Sequence, residues 1–306
     1  MSPASGTGAS DIPKGGWVDR FAPAELRPYA RLARLDRPIG TWLLLFPCWW
    51  GIALASPGWP SLWLMALFAL GAVVMRGAGC TYNDIVDRDF DARVARTADR
   101  PIPSGAVSVR QSIAFLLAQL VAGLVILLSL SPAAIWLGVL SLVLVFTYPL
   151  MKRVTWWPQF FLGLAFNWGA LMGYAAVADG LDAAPFILYA SGIQWTLGYD
   201  TIYAHQDKED DILVGVKSSA LRLGANTRPA LFAFYAGTVA LLTAAGLAAG
   251  LAWPYFVLLA AGAAQLAWQA WDVDLDDPAN CLAKFRSNRL FGWLVLAGTV
   301  AGQLAA

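Results

Sequence analysis

Nine stretches of mainly apolar residues, each 17–24 residues long, recur between residue 39 and residue 305. They cover about 39–56, 60–83, 109–130, 132–149, 157–177, 184–206, 229–250, 252–271 and 289–305. Around 20 apolar residues in a helix match the thickness of a bilayer core. Membrane strands would instead alternate polar and apolar side chains, and these runs do not. The pattern therefore predicts an all-α integral membrane bundle of nine transmembrane helices. Charged residues make up 13% of the chain, about half the share of a soluble domain. Proline and glycine mark the breaks: Pro57, Gly58 and Pro60, then Pro132, then Gly180 and Pro185, then Pro254.

The cations orient the bundle. All 21 lysines and arginines fall within residues 14–37, 76–110, 152–153, 208–228 and 284–289, and the intervening turns carry none. Lys and Arg concentrate on the cytoplasmic side of membrane proteins. Those five segments are thus expected in the cytoplasm, and nine spans then put the N-terminus there too. Residues 1–16 are rich in Gly, Ser and Pro, as disordered tails are. Residues 22–37 mix Arg with Leu, Tyr and Ala, as a helix lying on the membrane face does; a solvated basic lead fits equally. The division expected is 1–30 as a disordered or interfacial segment and 31–306 as the transmembrane domain. No secretory signal is evident. Cys48, Cys80 and Cys281 are odd in number and suggest no disulfide framework.

Against this apolar background the stretch TYNDIVDRDFDARV, residues 81–94, stands out. Asp84, Asp87 and Asp91 are three and four apart, so a helix puts them on one face; Asn83 precedes Asp87 by four and Asp89 points away. A second cluster, GYDTIYAHQDKEDD at 198–211, sets Asp200, Asp207 and Asp211 on one face. Like charges at such spacing repel, and an aspartate at the centre of a membrane helix costs about 2.5–3.5 kcal/mol to insert. Two such rows need compensation. Arg88, Arg93 and Arg96 are close in sequence, but a hard divalent cation suits a set of oxygen ligands better, and Mg2+ characteristically binds through carboxylates and substrate phosphates together. Each cluster runs on into a basic stretch, where Arg and Lys suit phosphate oxygens.

That combination implies a diphosphate ester whose leaving-group charge is neutralised by metal. If the ester is allylic, its carbon–oxygen bond can ionise in a dry, aromatic-lined cavity. The chain has 15 Trp, 15 Phe and 9 Tyr, although membrane-interface belts also use Trp and Tyr.

The motif N-D-x-x-D-R-D-x-D at Asn83–Asp91, with Y-D-x-x-Y-A and D-x-x-x-D within Tyr199–Asp211, resembles the UbiA superfamily of intramembrane prenyltransferases. LARLDRPIGTWLLLFPCWW (32–50), RTADRPIPSG (96–105) and YPLMKRVTWWPQ (148–159) resemble the branch that prenylates 4-hydroxybenzoate in ubiquinone synthesis. The likeness runs from about residue 30 to residue 295. It implies that Asn83, Asp84, Asp87 and Asp91 form one metal-binding motif, and Asp207 and Asp211 the other, with two Mg2+ ions bridging them and the diphosphate. It further implies that Arg88, Lys152 and Arg153, with Lys217 a weaker match, contact the diphosphate. Asp200 would accept a hydrogen bond from the acceptor's phenol and take up a proton. The acceptor's carboxylate needs a cation, for which Arg76, Arg34 and Arg37 are candidates; Arg76 could equally be a counter-ion for Asp36 or Asp84. His205, the one histidine, is read as a supporting residue. FRSNR at 285–289 also resembles this branch and is given a structural role at the start of the last span.

The expected reaction is Mg2+-dependent transfer of a polyprenyl group from its diphosphate to C3 of 4-hydroxybenzoate, at the cytoplasmic face of a bacterial or mitochondrial inner membrane. The expected partners are the two substrates and membrane lipid, with no nucleic acid. The same chemistry could serve homogentisate, a dihydroxynaphthoate, haem or a chlorophyllide. A CDP-alcohol phosphotransferase would carry D-G-x-x-A-R, whereas Arg88 and Asp89 follow Asp87 here. A divalent-cation transporter would place its acids near the bilayer midplane rather than at one edge.

Overall fold

The computed structural model describes residues 12–13, 15–93, 97–206, 208, 215 and 217–306. Thirteen α-helices and one 3-10 turn, with no strand, are found among them. Two short helices, α1 (Trp17–Phe21) and α2 (Arg27–Leu32), precede the apolar runs. Then follow α3 (Ile39–Ala55), α4 (Leu62–Asp91), α5 (Val109–Leu127), α6 (Pro132–Val154), α7 (Pro158–Asn167), α8 (Gly169–Ala178) and α9 (Ala183–His205). The short α10 (Ser219–Leu223) and the 3-10 turn Gly224–Asn226 lead into α11 (Thr227–Ala248), α12 (Trp253–Asp272) and α13 (Pro278–Leu304).

Every one of the nine apolar runs lies largely within these helices. Four stretches are long and apolar enough to cross a membrane as single or paired helices in sequence order α4, α5, α6 and α7 with α8, and α10 with α11 makes a fifth; the chain is a multi-pass membrane protein. Exposed Leu117, Val121, Leu124 and Val125 on α5 and exposed Val139, Leu140 and Val143 on α6 are faces that water would not favour. The starts of the helices follow local rules. Ser131, Asp182 and Asp277 occupy N-cap positions, each accepting a hydrogen bond from an amide in the first turn, and proline fills the first position of α6, α7 and α13; such caps satisfy amides that have no partner within the helix.

Two departures from the sequence reading stand out. The run 157–177 is interrupted at Trp168, giving α7 and α8. There the Asn167 side chain donates to the Gly163 carbonyl at 2.9 Å and to Thr196 Oγ1 at 2.8 Å, an intrusion into the helical ladder of the kind that breaks helices. The second run continues without a break into the acid cluster, so that α4 extends 30 residues to Asp91.

The chain divides into two compact units: Met1–Gly40 with Gly71–Val125, and Thr41–Leu70 with Ile126–Ala306. In the first, α1 and α2 are held by Trp17 Nε1, which donates to the Leu35 carbonyl at 3.0 Å, and by the edge-on packing of Tyr29 on Phe115. Its α4 and α5 segments meet where Thr81 Oγ1 donates to Gln119 Oε1 at 3.2 Å, a buried polar contact. In the second unit, small residues set the spacing. A Cβ on Gly173 would lie 2.1 Å from the Cys48 carbonyl oxygen, and one on Gly198 would lie 2.2 Å from the Tyr235 ring. Membrane helices pack closely through such positions because lipid tails offer no hydrophobic drive to bring helices together.

Candidate active site

In the first unit, α4 turns Asp84, Asp87 and Asp91 to one buried face, with relative exposures of 0%, 1% and 8%. Asp89, two residues from Asp91, is exposed, as the helical spacing requires. The expected arginine partners are not those found. Arg88 is exposed, donates to the Ile85 carbonyl of its own helix at 3.1 Å and lies 3.5 Å from Asp89. Arg93 is exposed, and Arg96 lies outside the described residues. Instead Arg34 Nη2 donates to Asp84 Oδ1 at 2.7 Å, while Arg100 Nη1 donates to Asp91 Oδ2 at 2.8 Å and approaches Asp84 Oδ1 at 3.4 Å. The physical reason is reach: Arg88 projects from the other side of α4 and Arg93 lies exposed beyond its end, whereas Arg34 and Arg100 arrive from segments folded against the acid face.

Both segments are locally fixed. Arg34 lies just beyond the end of α2 with φ 56°, a left-handed conformation rare outside glycine, and its Nη1 also donates to the Arg31 carbonyl. Arg100 sits in the turn that follows α4. Thr97 Oγ1 donates to the Asp91 carbonyl at 2.9 Å, and Val107 N–H donates to the Pro101 carbonyl at 2.9 Å, folding the loop back onto the helix end. Arg100 was missed in the sequence because nothing local marks it; RTADRPIPSG drew notice, but the fold selects which of its arginines faces the acids. Arg76 is half-buried on α4, and its guanidinium occupies the space a Cβ on Gly40 would fill, at 2.6 Å from Nε. Arg37 lies 3.3 Å from Asp36. Asn83 is half-buried one residue before Asp84.

The donor set suits a hard cation. Asp84 Oδ2 is buried and has no hydrogen-bond partner among the described residues, the mark of an oxygen awaiting a ligand. Among those residues no three acid, histidine or cysteine side chains close a metal cage by themselves. Magnesium does not require one, since it commonly takes one or two carboxylates and completes its shell with water and phosphate.

In the second unit, Lys152 and Arg153 end α6, and the segment bearing Lys217 docks against them. Lys217 N–H donates to the Lys152 carbonyl at 3.0 Å, and Lys217 Nζ donates to the Val154 carbonyl at 3.1 Å. Ser219 continues the clamp: its N–H donates to Gln159 Oε1 at 3.1 Å and its hydroxyl bonds Thr201 at 2.7 Å. The segment bearing Lys217 and the helix end bearing Lys152 and Arg153, predicted from two separate stretches, thus meet at one corner. Gln159, Thr201 and Ser219, which hold that corner together, carried no motif signal. Asp200, next to Thr201 on α9, is half-buried. Asp207 and Asp211 lie outside the described residues. His205 is buried and bonds Thr227 Oγ1 at 3.0 Å, a supporting contact as expected. FRSNR is likewise structural on its inner face: Asn288 Oδ1 accepts from Trp195 Nε1 at 2.8 Å, and Phe285 packs on Tyr203 with centroids 4.6 Å apart.

The model of the UbiA prenyltransferase family matches residues 44–295. A relative from Caenorhabditis elegans named 4-hydroxybenzoate polyprenyltransferase, mitochondrial, is 51% identical over 96% of this chain and 83% of its own length. One of the same name from Homo sapiens is 51% identical over 92% of this chain and 77% of its own length. Among solved structures, the apo form of a UbiA homolog from Aeropyrum pernix superposes with a TM-score of 0.72 at 29% identity, over 84% of this chain and 96% of that one. A UbiA homolog from Archaeoglobus fulgidus, bound to GPP and Mg2+, shares the fold with a TM-score of 0.68 at 18% identity, over 91% of this chain and all of that one.

Proposed function

This chain belongs to the UbiA prenyltransferase family, and from that premise we propose that it transfers a polyprenyl group from polyprenyl diphosphate to C3 of 4-hydroxybenzoate in ubiquinone biosynthesis. The observation that carries the reading is the buried acid face of α4, which has a bare carboxylate oxygen on Asp84 and guanidiniums from Arg34 and Arg100 at its edge. Relatives about half identical over most of their length, named for this reaction, support the acceptor.

Asn83, Asp84, Asp87 and Asp91 hold metal through hard oxygen ligands, and Asp207 and Asp211 serve the second motif, for two Mg2+ ions in all. When bound, the metal supplies positive charge against the leaving diphosphate. Lys152, Arg153 and Lys217 hold diphosphate oxygens by charge-assisted hydrogen bonds, and Arg88, exposed on the side of α4 away from the acids, is the weaker candidate for that task. The carbon–oxygen bond of the allylic ester breaks, diphosphate departs with the electron pair, and the ring bonds to the prenyl carbon at C3. Asp200 accepts a hydrogen bond from the phenol, which raises electron density ortho to it, and takes the proton the ring releases. Arg76, Arg34 and Arg37 are the candidates for the acceptor's carboxylate. Nine helices span an inner membrane, with the N-terminus and both acid motifs on the cytoplasmic side, in keeping with the placement of the cations. Residues 1–30 precede this domain as a disordered or interfacial segment, and residues 31–306 form it.

The test uses membranes containing the chain with Mg2+, labelled 4-hydroxybenzoate and a polyprenyl diphosphate. Prenylated hydroxybenzoate is expected, and it should vanish with EDTA and in Asp87→Ala or Asp207→Ala. EDTA-insensitive product would overturn the metal assignment. Product only with homogentisate or a dihydroxynaphthoate would move the acceptor, and metal flux without product would favour a transporter.

A further inference from the structure

The outer face of FRSNR has no part in the reaction described above. Phe285, Ser287 and Asn288 face inward, where Ser287 Oγ donates to the Lys284 carbonyl and accepts from Gln269 Nε2 at 2.9 Å. Those contacts fix the first turns of α13 and leave Arg286 and Arg289, three residues apart on one side, exposed. Neither guanidinium has a hydrogen-bond or ion-pair partner among the described residues. They line a groove of about 360 Å³ together with Ser287, Leu290, Trp42 and Trp293. The Trp42 and Trp293 rings lie against each other with centroids 5.5 Å apart, and Trp42 belongs to a cluster with Phe46 and Trp49.

The groove marks the polar-to-apolar junction of α13. Before Leu290 the helix carries Lys284, Arg286 and Arg289; after it, no charged residue follows to the end of the helix. Tryptophan gathers at the headgroup level of a bilayer, and basic pockets beside membrane helices take anionic lipid headgroups. Two guanidiniums on a helix turn anchored from within are well placed for phosphate oxygens. A zwitterionic lipid would bring its own ammonium towards them, which like charge disfavours. The geometry points to a binding site for the phosphate of an anionic glycerophospholipid, with Arg286 and Arg289 on the headgroup and Trp42 and Trp293 against its glycerol and first acyl carbons. The site goes beyond the prenyl-transfer reading and stands without it.

The test is binding, not activity. Full-length chain in neutral detergent is titrated with phosphatidylglycerol and with phosphatidylcholine of the same acyl chains, and retained lipid is counted by native mass spectrometry. Phosphatidylglycerol should bind more tightly. Arg286→Gln and Arg289→Gln should each weaken it about fivefold, and the pair about 25-fold, the worth of a basic residue at a membrane surface. Arg110→Gln with Arg222→Gln removes the same charge from two exposed arginines elsewhere and should change binding less than about twofold. Should the glutamine pair not fold, either single variant decides, and Arg286→Lys with Arg289→Lys should keep the preference for phosphatidylglycerol. Equal affinity for the two lipids, an equal loss in the control pair, or displacement of lipid by inorganic phosphate, which would make this a free-anion site, each overturns the inference.

Discussion

Removing the guanidinium of Arg34 tests the electrostatics of the acid face most directly. Asp84 is fully buried. Its Oδ1 receives Arg34 at 2.7 Å and Arg100 only at 3.4 Å, and its Oδ2 has no hydrogen-bond partner among the described residues. Breaking one side of a buried ion pair costs about 3–5 kcal/mol, whereas an exposed pair is worth about 0–1 kcal/mol. Arg34→Ala should fall near the lower end, about 3 kcal/mol, because Arg100 remains to compensate in part. A second effect has the opposite sign. Arg34 holds φ 56°, which strains an L residue by about 1–2 kcal/mol and glycine hardly at all. Arg34→Gly loses the same ion pair, yet should be milder than Arg34→Ala by about 1 kcal/mol. Asp84→Asn in the Arg34→Ala background removes the stranded charge, and the double-mutant cycle should show a coupling of about 2 kcal/mol or more. The assay is equilibrium unfolding of the full chain in mixed micelles titrated with SDS, followed by tryptophan fluorescence. A cost below about 1 kcal/mol for Arg34→Ala, or no coupling to Asp84→Asn, would refute the argument.

Three further outcomes follow. Arg100→Ala should lower kcat/KM for the diphosphate about tenfold to a hundredfold, the worth of a hydrogen bond to a charged group, with partial recovery in Arg100→Lys; unchanged kinetics would remove Arg100 from the site. Gly198→Ala drives a Cβ to 2.2 Å from a Tyr235 ring whose hydroxyl is tied to Gln269 Oε1 at 2.8 Å, so overpacking should cost about 1–3 kcal/mol, read as a lowered thermal transition; a neutral result would mean that α9 and α11 can separate freely. Asp19 is held below the usual carboxylate range by the Gly15 amide at 2.8 Å and then by the Arg31 guanidinium at 2.5 Å; a depressed folded value stabilises this contact above the ordinary Asp value and loses it as pH falls through the lowered one, so amide exchange in α1 and α2 should accelerate only on that acid limb, and pH-independent exchange there would contradict the assignment.

The parts of the molecule legible in the sequence are those governed by period and by local chemistry. The spacing of Asp84, Asp87 and Asp91 became a shared buried face because α4 runs unbroken through them, and the proline and glycine breaks fell between helices or in their first turns. Less legible were contacts made by segments distant in the chain. Arg34 is 50 residues from Asp84, and no helical rule links them. Arg100 became a partner of the acid face through the fold of its turn, while Arg88, nearer in sequence, was carried to the exposed side by the same helix that buried the acids, and Arg93 lies exposed beyond its end. The interruption at Trp168 was also hidden, because Asn167 looks like any polar residue in an apolar run until its amide is seen bonded to Thr196 on α9. In the second unit the spread-out cations at 152, 153 and 217 could be suspected of a common task, but their shared corner depends on Gln159, Thr201 and Ser219, whose residue types are too ordinary to signal it.

Between residues 15 and 151 every cationic side chain is an arginine; lysine resumes only at Lys152. That choice follows from what α4 buries. A lysine brought beside Asp84 in an apolar setting could shed its proton, since burial lowers its pKa readily, and the buried carboxylate would then lose its cationic partner. A guanidinium does not give up its proton in proteins, so Arg34 and Arg100 remain charged partners beside Asp84 and Asp91. The same two arginines need not obstruct a ligand. On the proposed function, a diphosphate would offer anionic oxygens to these guanidiniums, and a hard cation would be held by the carboxylates, so neither set of charges would be left without a partner. A buried acid face of this kind therefore calls for arginine at 34 and 100, and this requirement, more than the number of acids, explains how so apolar a chain can hold three buried aspartates on a single helix.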